Sequence, residues 1–396
     1  MMPSVTIGLE NCLESPPEVL RKAARFGLLA NQASVSKDFE YSSTLLARRF
    51  PGKLAALFAP QHGFFGEQQE NMIETGHARD AVLGVPVYSL YSETRKPTAA
   101  MLKGLECLVV DLQDVGTRIY TFAWTMMACL EACAVARIPV VVLDRPNPLG
   151  GDSVEGPLLD LHYASFVGRS AIPMRHGLTM GELARWLNTQ HKIGALVHVV
   201  KMSGWSRHTL WPQTGRTWVL TSPNLPRWEG CLVYPGQVLL EGTNVSEGRG
   251  TTTPFEVVGA PFVSPMKLLA GLEPFNLAGV RLRPVRFLPT FHKWRDTSCG
   301  GLYLHVTDPL TFQPVRTTVA LITTIRRLWA GEFNWRKPPY EYESVKPPID
   351  ILFGNCRFRE ALERGAVKAP ADLDDLLFLD KAAWRKQIAD HLLYDG

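Results

Sequence analysis

The sequence lacks paired cysteines. Its seven cysteines are an odd number, and none stands in a C-x-x-C pair of the kind that holds zinc or a redox-active disulfide. Scattered single cysteines are typical of buried, reduced thiols in a cytosolic protein. We therefore expect reduced thiols, and no metal centre, at Cys12, Cys107, Cys129, Cys133, Cys231, Cys299 and Cys356.

A strong charge of one sign and a long hydrophobic run are also missing. Lys and Arg number 42 against 38 Asp and Glu, and this net charge of +4 is too small for a basic stripe that binds nucleic acid. The longest uncharged apolar stretch, residues 119–130, is too short to span a bilayer. Glu10 and Glu14 interrupt what would be the apolar core of a signal peptide. We expect a cytoplasmic protein with no membrane or nucleic-acid partner.

No motif for a common cofactor is present. A glycine-rich G-x-G-x-x-G or G-x-x-x-x-G-K-[ST] loop, which would cradle the phosphates of a nucleotide, follows none of the predicted strands. An H-E-x-x-H pair for zinc and a G-x-S-x-G nucleophile elbow are absent as well. We therefore expect neither a cofactor nor a metal ion.

The first 150 residues alternate short apolar runs with amphipathic stretches, which is the pattern of strand–helix units around a parallel sheet. Three runs, at 54–59, 107–112 and 138–143, are continuously apolar, as expected for strands covered by helices on both faces. Further predicted strands lie at 26–30, 85–88 and 196–202, and predicted helices at 16–25, 41–50, 97–105, 119–137 and 180–188, the last capped by Thr179.

A length of 396 residues is enough for two domains. After Thr221-Ser222-Pro223 the composition changes to turns rich in glycine and proline, followed by predicted strands at 280–287 and 302–306 and a helix at 317–329. We therefore predict an α/β, Rossmann-like parallel-sheet domain over residues 1–220 and a smaller α+β domain over residues 221–396.

Polar clusters follow the carboxyl ends of the predicted strands, for example Pro60-Gln61-His62-Gly63 and the segment 111–118. In an open parallel sheet these ends form the crevice where ligands bind, so the loops are expected to converge on one site. The alternative is that these loops are polar only because Asn, Pro, Gly and Asp form turns.

Carboxylates are the side chains of these loops that are best suited to catalysis. A glycosidic bond is typically broken by two of them, one holding a proton for the leaving oxygen and one ionised. The segment 234–254 adds Glu241, Asn244, Glu247 and Arg249 among four glycines, a set suited to a polyhydroxylated ligand. Alternatively, Arg249 pairs with Glu241 or Glu247 only to hold the loop.

One charge-assisted pair is expected at the edge of the sheet. Asp111 and Asp114 end a predicted strand, and Arg118 opens the following helix. This spacing predicts that Arg118 pairs with one of the two aspartates and that the pair lines the cleft.

The chain resembles the exo-β-N-acetylmuramidase NamZ family, formerly the DUF1343 family. The resemblance runs in order from about residue 26 to the end of the chain. It rests on GLLANQASV, LFAPQHGFFGE, DLQDVGTRIYT, VVLDRPNPLGG, PMRHGLTMGELA, SPNLP, YPGQVLLEGTNVSEGRGTTTPFEVVGAP and IDILFG.

The resemblance implies a Rossmann-like domain without a dinucleotide, a smaller second domain and an active-site cleft between them. It implies a glycoside hydrolase that removes terminal β-N-acetylmuramic acid from peptidoglycan fragments during cell-wall recycling, with Arg118, Arg175 or Arg249 as partner of the lactyl carboxylate. The candidate catalytic residues are Glu67, Asp114 and Glu247, and the candidate substrate contacts are Gln61, His62, Arg118, Tyr120, Asn147, Arg175, His176, Asn224, Tyr234, Glu241, Asn244 and Arg249.

Position 61 departs from the family pattern. The family motif is Pro-Glu-His-Gly, whose glutamate is the favoured catalytic residue, whereas this chain has Gln61, which is neither a proton donor nor a nucleophilic carboxylate. One hypothesis is that the catalytic role has moved to Glu67 on the same loop. The others are a glycosidase of altered sugar specificity and a catalytically silent sugar-binding relative.

Overall fold

The computed structural model describes residues 4–66, 68–69, 73–367 and 369–395. Its larger sheet has seven strands in the order β3-β4-β2-β1-β5-β6-β7, and all neighbours are parallel except β3 and β4. Counted along the chain, the six parallel strands run 3-2-1-4-5-6, which is the Rossmann order. The strands are β1 (Phe26–Ala30), β2 (Leu54–Ala59), β3 (Ala78–Arg79), β4 (Pro86–Ser89), β5 (Cys107–Asp111), β6 (Val140–Leu143) and β7 (Val197–Val200).

Helices cover both faces of this sheet, as its continuously apolar strands require. The most buried is α5 (Phe122–Ala136), which packs against α4 and α6 and is apolar nearly all round for that reason. The predicted cap of α6 is confirmed, because Thr179 accepts from the backbone of Glu182 while the Glu182 side chain accepts from that of Thr179. The other helices are α1 (Gly8–Glu14), α2 (Glu18–Lys22), α3 (Ser42–Arg49), α4 (Ala99–Leu102) and α6 (Met180–Gln190).

A smaller antiparallel sheet in the order β8-β10-β9 follows, so the predicted fold class is confirmed. Strand β10 begins at Cys299, three residues before the predicted start. The glycine pair at 300–301 hid that start, because glycine weakens a strand pattern. Here it is needed, since a Cβ on Gly301 would lie 1.9 Å from the carbonyl oxygen of Val258. The strands are β8 (Val257–Ala260), β9 (Val280–Phe287) and β10 (Cys299–Val306).

Seven helices lie in the described part of the second half, of which α7 and α8 pack against that sheet. The pair α7 and α9 pack against each other, and α7 continues into a 3-10 turn over Val238–Gly242. They are α7 (Trp228–Gln237), α8 (Pro265–Leu272), α9 (Pro314–Leu328), α10 (Pro348–Phe353), α11 (Arg357–Glu363), α12 (Pro370–Leu376) and α13 (Lys381–Ile388). Within the described ranges, no helix combines the length and the apolar character needed to cross a membrane.

The chain end returns to the larger sheet. The Tyr394 hydroxyl donates to Oδ2 of Asp144 at 2.6 Å, and the backbone N–H of Leu393 donates to Oε1 of Glu182 at 3.0 Å. Residues of the predicted second domain therefore contact the first, and the division at residue 220 stays a prediction.

A buried ion pair joins the carboxyl ends of three strands. Nε and Nη2 of Arg145, which follows β6, donate to the two oxygens of Asp111 at the end of β5, at 2.6 and 2.8 Å. Nη1 of Arg145 also donates to the carbonyl of Val35, in the loop after β1. Both side chains are almost fully buried, so each charge depends on the other.

We predict that Asp111→Asn lowers the free energy of unfolding by about 3 kcal/mol, because the amide leaves the buried Arg145 charge without its partner. Urea denaturation measures the loss. The control is Asp296→Asn, which breaks an ion pair whose side chains are 70% and 71% exposed and should cost at most about 1 kcal/mol. Equal losses in the two variants would contradict a special role for the buried pair.

Candidate active site

A polar cavity lies where the strand-end loops of the larger sheet meet the segment 234–255. Gln61 and His62 follow β2, Tyr120 precedes α5, and Glu241 lies on the 3-10 turn after α7. The cavity is lined by Gln61, His62, Ile119, Tyr120, Thr121, Phe122, Val167, Ser222, Asn224, Leu225, Tyr234, Glu241, Arg249, Phe255, Tyr340 and Glu341. The structure thus brings together seven predicted site residues, namely Gln61, His62, Tyr120, Asn224, Tyr234, Glu241 and Arg249.

Arg249 lies on one wall of the cavity and contacts two carboxylates. Its Nη1 lies 2.7 Å from Oε1 of Glu241 and 3.1 Å from Oε1 of Glu247. The other oxygen of Glu241 accepts from the Tyr340 hydroxyl at 2.8 Å. The pairing that the sequence left as an alternative to ligand binding is therefore present, yet Glu241 and Arg249 also line the cavity.

Glu247 lies behind Arg249 and does not line the cavity. Nζ of Lys293 donates to its Oε2 at 2.8 Å, and Nδ1 of His292 lies 3.2 Å from its Oε1. Burial acts to raise the pKa of Glu247, but the charges of Lys293, His292 and Arg249 hold it well below its ordinary value. Glu247 is thus a fixed anion that positions Arg249, and its predicted catalytic role remains untested.

Glu341 lies in the cavity and was missed by the sequence analysis. The Tyr91 hydroxyl donates to its Oε2 at 3.0 Å, and Nε2 of Gln61 lies 3.5 Å from its Oε1. Burial, together with the nearby carboxylate of Glu241, raises the pKa of Glu341 to about 7. The available signal was a carboxylate between two tyrosines in Tyr340-Glu341-Tyr342, in a stretch with no helix or strand pattern.

Gln61 and His62 form the wall that follows β2. The Thr121 hydroxyl donates to Oε1 of Gln61 at 2.8 Å, so the amide nitrogen faces Glu341. Nδ1 of His62 lies 2.7 Å from the carbonyl oxygen of Gln68 and must carry the proton, which leaves Nε2 as an acceptor. Burial lowers the pKa of His62 to about 4, so its imidazole is neutral at neutral pH.

The predicted pair between Arg118 and an aspartate is wrong. Asp111 pairs with Arg145, and the buried Arg118 guanidinium donates instead to the carbonyls of Pro157, Ile172 and Leu352. Asp114 accepts from the backbone N–H of Gly116, and burial raises its pKa to about 7. Neither Arg118 nor Asp114 lines the cavity, and both form hydrogen bonds with backbone groups outside it.

Four more predicted substrate contacts lie outside the cavity and bond to the backbone. Asn147 donates to the carbonyl of Leu178, and Nη2 of Arg175 to that of Leu149. Nδ1 of His176 accepts from the N–H of Leu178, and Asn244 donates to the carbonyl of Glu332. Their assignment as substrate contacts stays a prediction, and Glu67 lies outside the described residues.

Known proteins resemble this chain along almost its whole length. A curated relative, the peptidoglycan β-N-acetylmuramidase NamZ of Bacillus subtilis (strain 168), is 44% identical over 92% of this chain and 85% of its own. A crystal structure of a DUF1343 family protein from Bacteroides fragilis NCTC 9343 has a TM-score of 0.87, with 31% identity and 99% of each chain covered. A second such protein from the same organism has a TM-score of 0.76, with 29% identity and full coverage of both chains.

Two family descriptions account for nearly all of the sequence. The N-terminal part of exo-β-N-acetylmuramidase NamZ matches residues 26–229, and the C-terminal part matches residues 232–394. The resemblance carried by the motifs is thereby confirmed, and the chain belongs to the exo-β-N-acetylmuramidase NamZ family.

Proposed function

We propose that this chain is an exo-acting glycoside hydrolase that releases terminal β-N-acetylmuramic acid from peptidoglycan fragments, and that the cavity is its active site. The observation that carries the proposal is that two carboxyl groups, Glu241 and Glu341, line one cavity in opposite surroundings. Glycosidases need this contrast, since one carboxyl must hold a proton and the other must be charged. The Bacillus subtilis relative is a peptidoglycan β-N-acetylmuramidase, which supports the substrate class.

Glu341 is the proton donor in this proposal. Its raised pKa keeps a proton available near neutral pH for the oxygen of the leaving sugar. Glu241, bonded to Arg249 and Tyr340, is the second carboxylate and acts as base, nucleophile or stabiliser. We therefore favour Glu341 over Glu67 as the residue that takes the catalytic role of the family glutamate, which is Gln61 in this chain.

Gln61 fits a role in positioning that donor. Its amide is fixed by Thr121 and presents a nitrogen toward Glu341. A glutamate at position 61 would set a third carboxyl group into the cavity, beside Glu341, and like charges at that distance cannot all ionise. The neutral amide adds no like charge. Its hydrogen bond, like that of Tyr91, acts to lower the pKa of Glu341, but burial and Glu241 outweigh both.

Arg249 is the candidate partner for the lactyl carboxylate of muramic acid. Of the three arginines proposed from the family resemblance, Arg118 and Arg175 donate to backbone carbonyls outside the cavity, whereas Arg249 lines it. The enclosed space at the centre of the cavity is about 30 Å³, which is room for one water molecule. A sugar ring therefore requires the walls to separate on binding.

The cytoplasm is the proposed location. Six of the seven cysteines are buried and all seven are free thiols, as suits a reducing compartment. The enzyme would then meet its substrate as imported cell-wall fragments.

The substrate assignment is tested with aryl β-glycosides. We expect the wild-type protein to hydrolyse an aryl β-N-acetylmuramide at least tenfold faster than the aryl β-N-acetylglucosaminide, which lacks the lactyl group, because Arg249 offers a partner for the carboxylate. Initial rates of aryl release measure both. Preference for the glucosaminide would indicate altered specificity, and no hydrolysis of either glycoside would indicate a silent sugar-binding relative.

We predict that Glu341→Gln slows hydrolysis of the disaccharide N-acetylmuramyl-β-1,4-N-acetylglucosamine by roughly 100-fold or more, as expected when a general acid is removed. Hydrolysis of a nitrophenyl muramide should fall much less, because nitrophenolate leaves without a proton. The comparison of kcat on the two substrates therefore separates a proton donor from a residue that merely shapes the site.

The control for that variant is Glu343→Gln, two residues along the same segment and outside the cavity, which should keep both rates. Glu67→Gln should also keep them. A large loss in Glu67→Gln with an active Glu341→Gln would restore the hypothesis that catalysis moved to Glu67.

The pH dependence of hydrolysis should follow the protonation of Glu341. Because the donor must be protonated, kcat/KM for the disaccharide should fall as pH rises through about 7, the value to which burial and Glu241 raise the pKa of Glu341. In Glu341→Gln this alkaline limb should disappear from the residual activity. An unchanged limb in the variant would assign it to another group.

A further inference from the structure

A groove lies along α5, and the aromatic side chains of Tyr91, Phe166 and Tyr342 stand between it and the cavity. It consists of two adjoining hollows of about 310 and 550 Å³, and both are lined by Lys96, Glu131 and Arg169. Volumes in this range are typical of ligand sites, roughly 300–1,000 Å³. We call it the α5 groove, and Arg95 and Phe166 line its inner end.

The inner end of the α5 groove adjoins the proposed active site. Val167 lines the cavity and its neighbour Phe166 lines the groove. On the other side, Glu341 lines the cavity while the next residue, Tyr342, packs its ring against Phe166 and Tyr91. Tyr342 is 51% exposed, so part of its side chain is open to solvent between the cavity and the groove.

Arg95 packs against this aromatic cluster. Its guanidinium lies 3.9 Å from the centre of the Tyr342 ring and 5.2 Å from that of Tyr91, within cation–π range. It also pairs with Glu74 at 2.8 Å. The aromatic rings and the charge of Arg95 therefore form one rigid edge between the cavity and the groove.

The charge of the groove is positive. Nζ of Lys96 and Nη2 of Arg169 both contact Glu131, at 3.2 and 2.7 Å, so two cations share one carboxylate. Glu131 is the one acidic side chain among the described residues that line the two hollows. The Lys96 and Arg169 side chains remain 46% and 33% exposed, which leaves their donors accessible to a second anion.

We propose that the α5 groove binds the leaving side of a longer glycan chain, with Lys96 and Arg169 holding the lactyl carboxylate of the next muramic acid. This inference rests on the proposed function, in which the cavity holds the two sugars that flank the cleaved bond. Along a peptidoglycan strand the next carboxylate comes on the third sugar, so a disaccharide ends before the groove and a tetrasaccharide reaches it. The groove thus makes the enzyme prefer chains of three or more sugars, of which the tetrasaccharide is the test case.

The test compares kcat/KM of Lys96→Gln, Arg169→Gln and the double variant on peptide-free disaccharide and tetrasaccharide, both with muramic acid at the non-reducing end. We expect the double variant to lose about fivefold or more on the tetrasaccharide, as for contacts between exposed charges, and less than twofold on the disaccharide. Arg169→Lys, which keeps the charge, should retain most of the tetrasaccharide rate. Higher salt should reduce the wild-type preference for the longer chain.

Two further arms make the outcome decisive. Glu131→Gln removes the shared carboxylate and should raise kcat/KM on the tetrasaccharide alone. The controls are Lys22→Gln and Arg364→Gln, which remove paired cations outside the groove whose side chains are 72% and 70% exposed. They should leave kcat/KM on both substrates unchanged. Equal losses on both substrates, or no loss on the tetrasaccharide, would overturn the groove. If the wild type cleaves neither substrate, the proposed function fails, and calorimetric binding of the tetrasaccharide to the wild type and the double variant still tests the groove.

Discussion

The buried guanidinium of Arg249 is the constraint on which the candidate site depends. A buried ion pair is strongly destabilised when one partner is removed, and here Nη1 of Arg249 contacts both Glu241 and Glu247. Glu247 is in turn fixed by Lys293, whose Nζ also donates to the carbonyls of Leu240 and Val245. The backbone turn after α7 is thus tied to the same charge network as the cavity wall. The orientation of Glu241, and through Tyr340 the position of Glu341, follows from a pairing that begins outside the cavity.

Much of the fold could be predicted from the sequence because its strands carry an unambiguous pattern. The run at 54–59 is apolar at every position, and the structure buries it between helices as β2 with the same bounds. Strands β3 and β8 were not predicted. Strand β3 has two exposed residues and is defined by its pairing with β4, and β8 is a four-residue piece that holds its place through close backbone contact with β10. Strand β3 has too few residues to show a pattern, and Gly259 weakens the apolar pattern of β8.

The site was harder to predict, for a physical reason. Buried backbone carbonyls need donors, and long polar side chains such as Arg118 and Arg175 supply them. In a sequence such residues look the same as residues that bind a ligand. The segment 234–254 was a better guide, since Glu241 and Arg249 satisfy each other and still face the cavity. The role of Glu341 could not be inferred from its neighbours in the sequence. Two residues that shift its pKa, Tyr91 and Glu241, lie 250 and 100 residues away along the chain.

The backbone at Glu341 and Tyr342 shows how tightly this part of the site is determined. Both residues have positive φ, 45° and 67°, in a region that costs a residue with a side chain about 1–2 kcal/mol. The conformation persists because each neighbour is held independently: Tyr340 bonds to Glu241, and Tyr342 packs against Arg95. A relaxed backbone would turn Glu341 away from Tyr91 and Gln61, or Tyr342 away from the groove. Non-glycine residues in strained conformations concentrate at functional sites, where the surrounding contacts compensate the strain. Two such residues follow each other here: Glu341 lines the cavity, and Tyr342 packs against Phe166 of the groove. The strain therefore lies between the proposed proton donor and the proposed chain-binding surface.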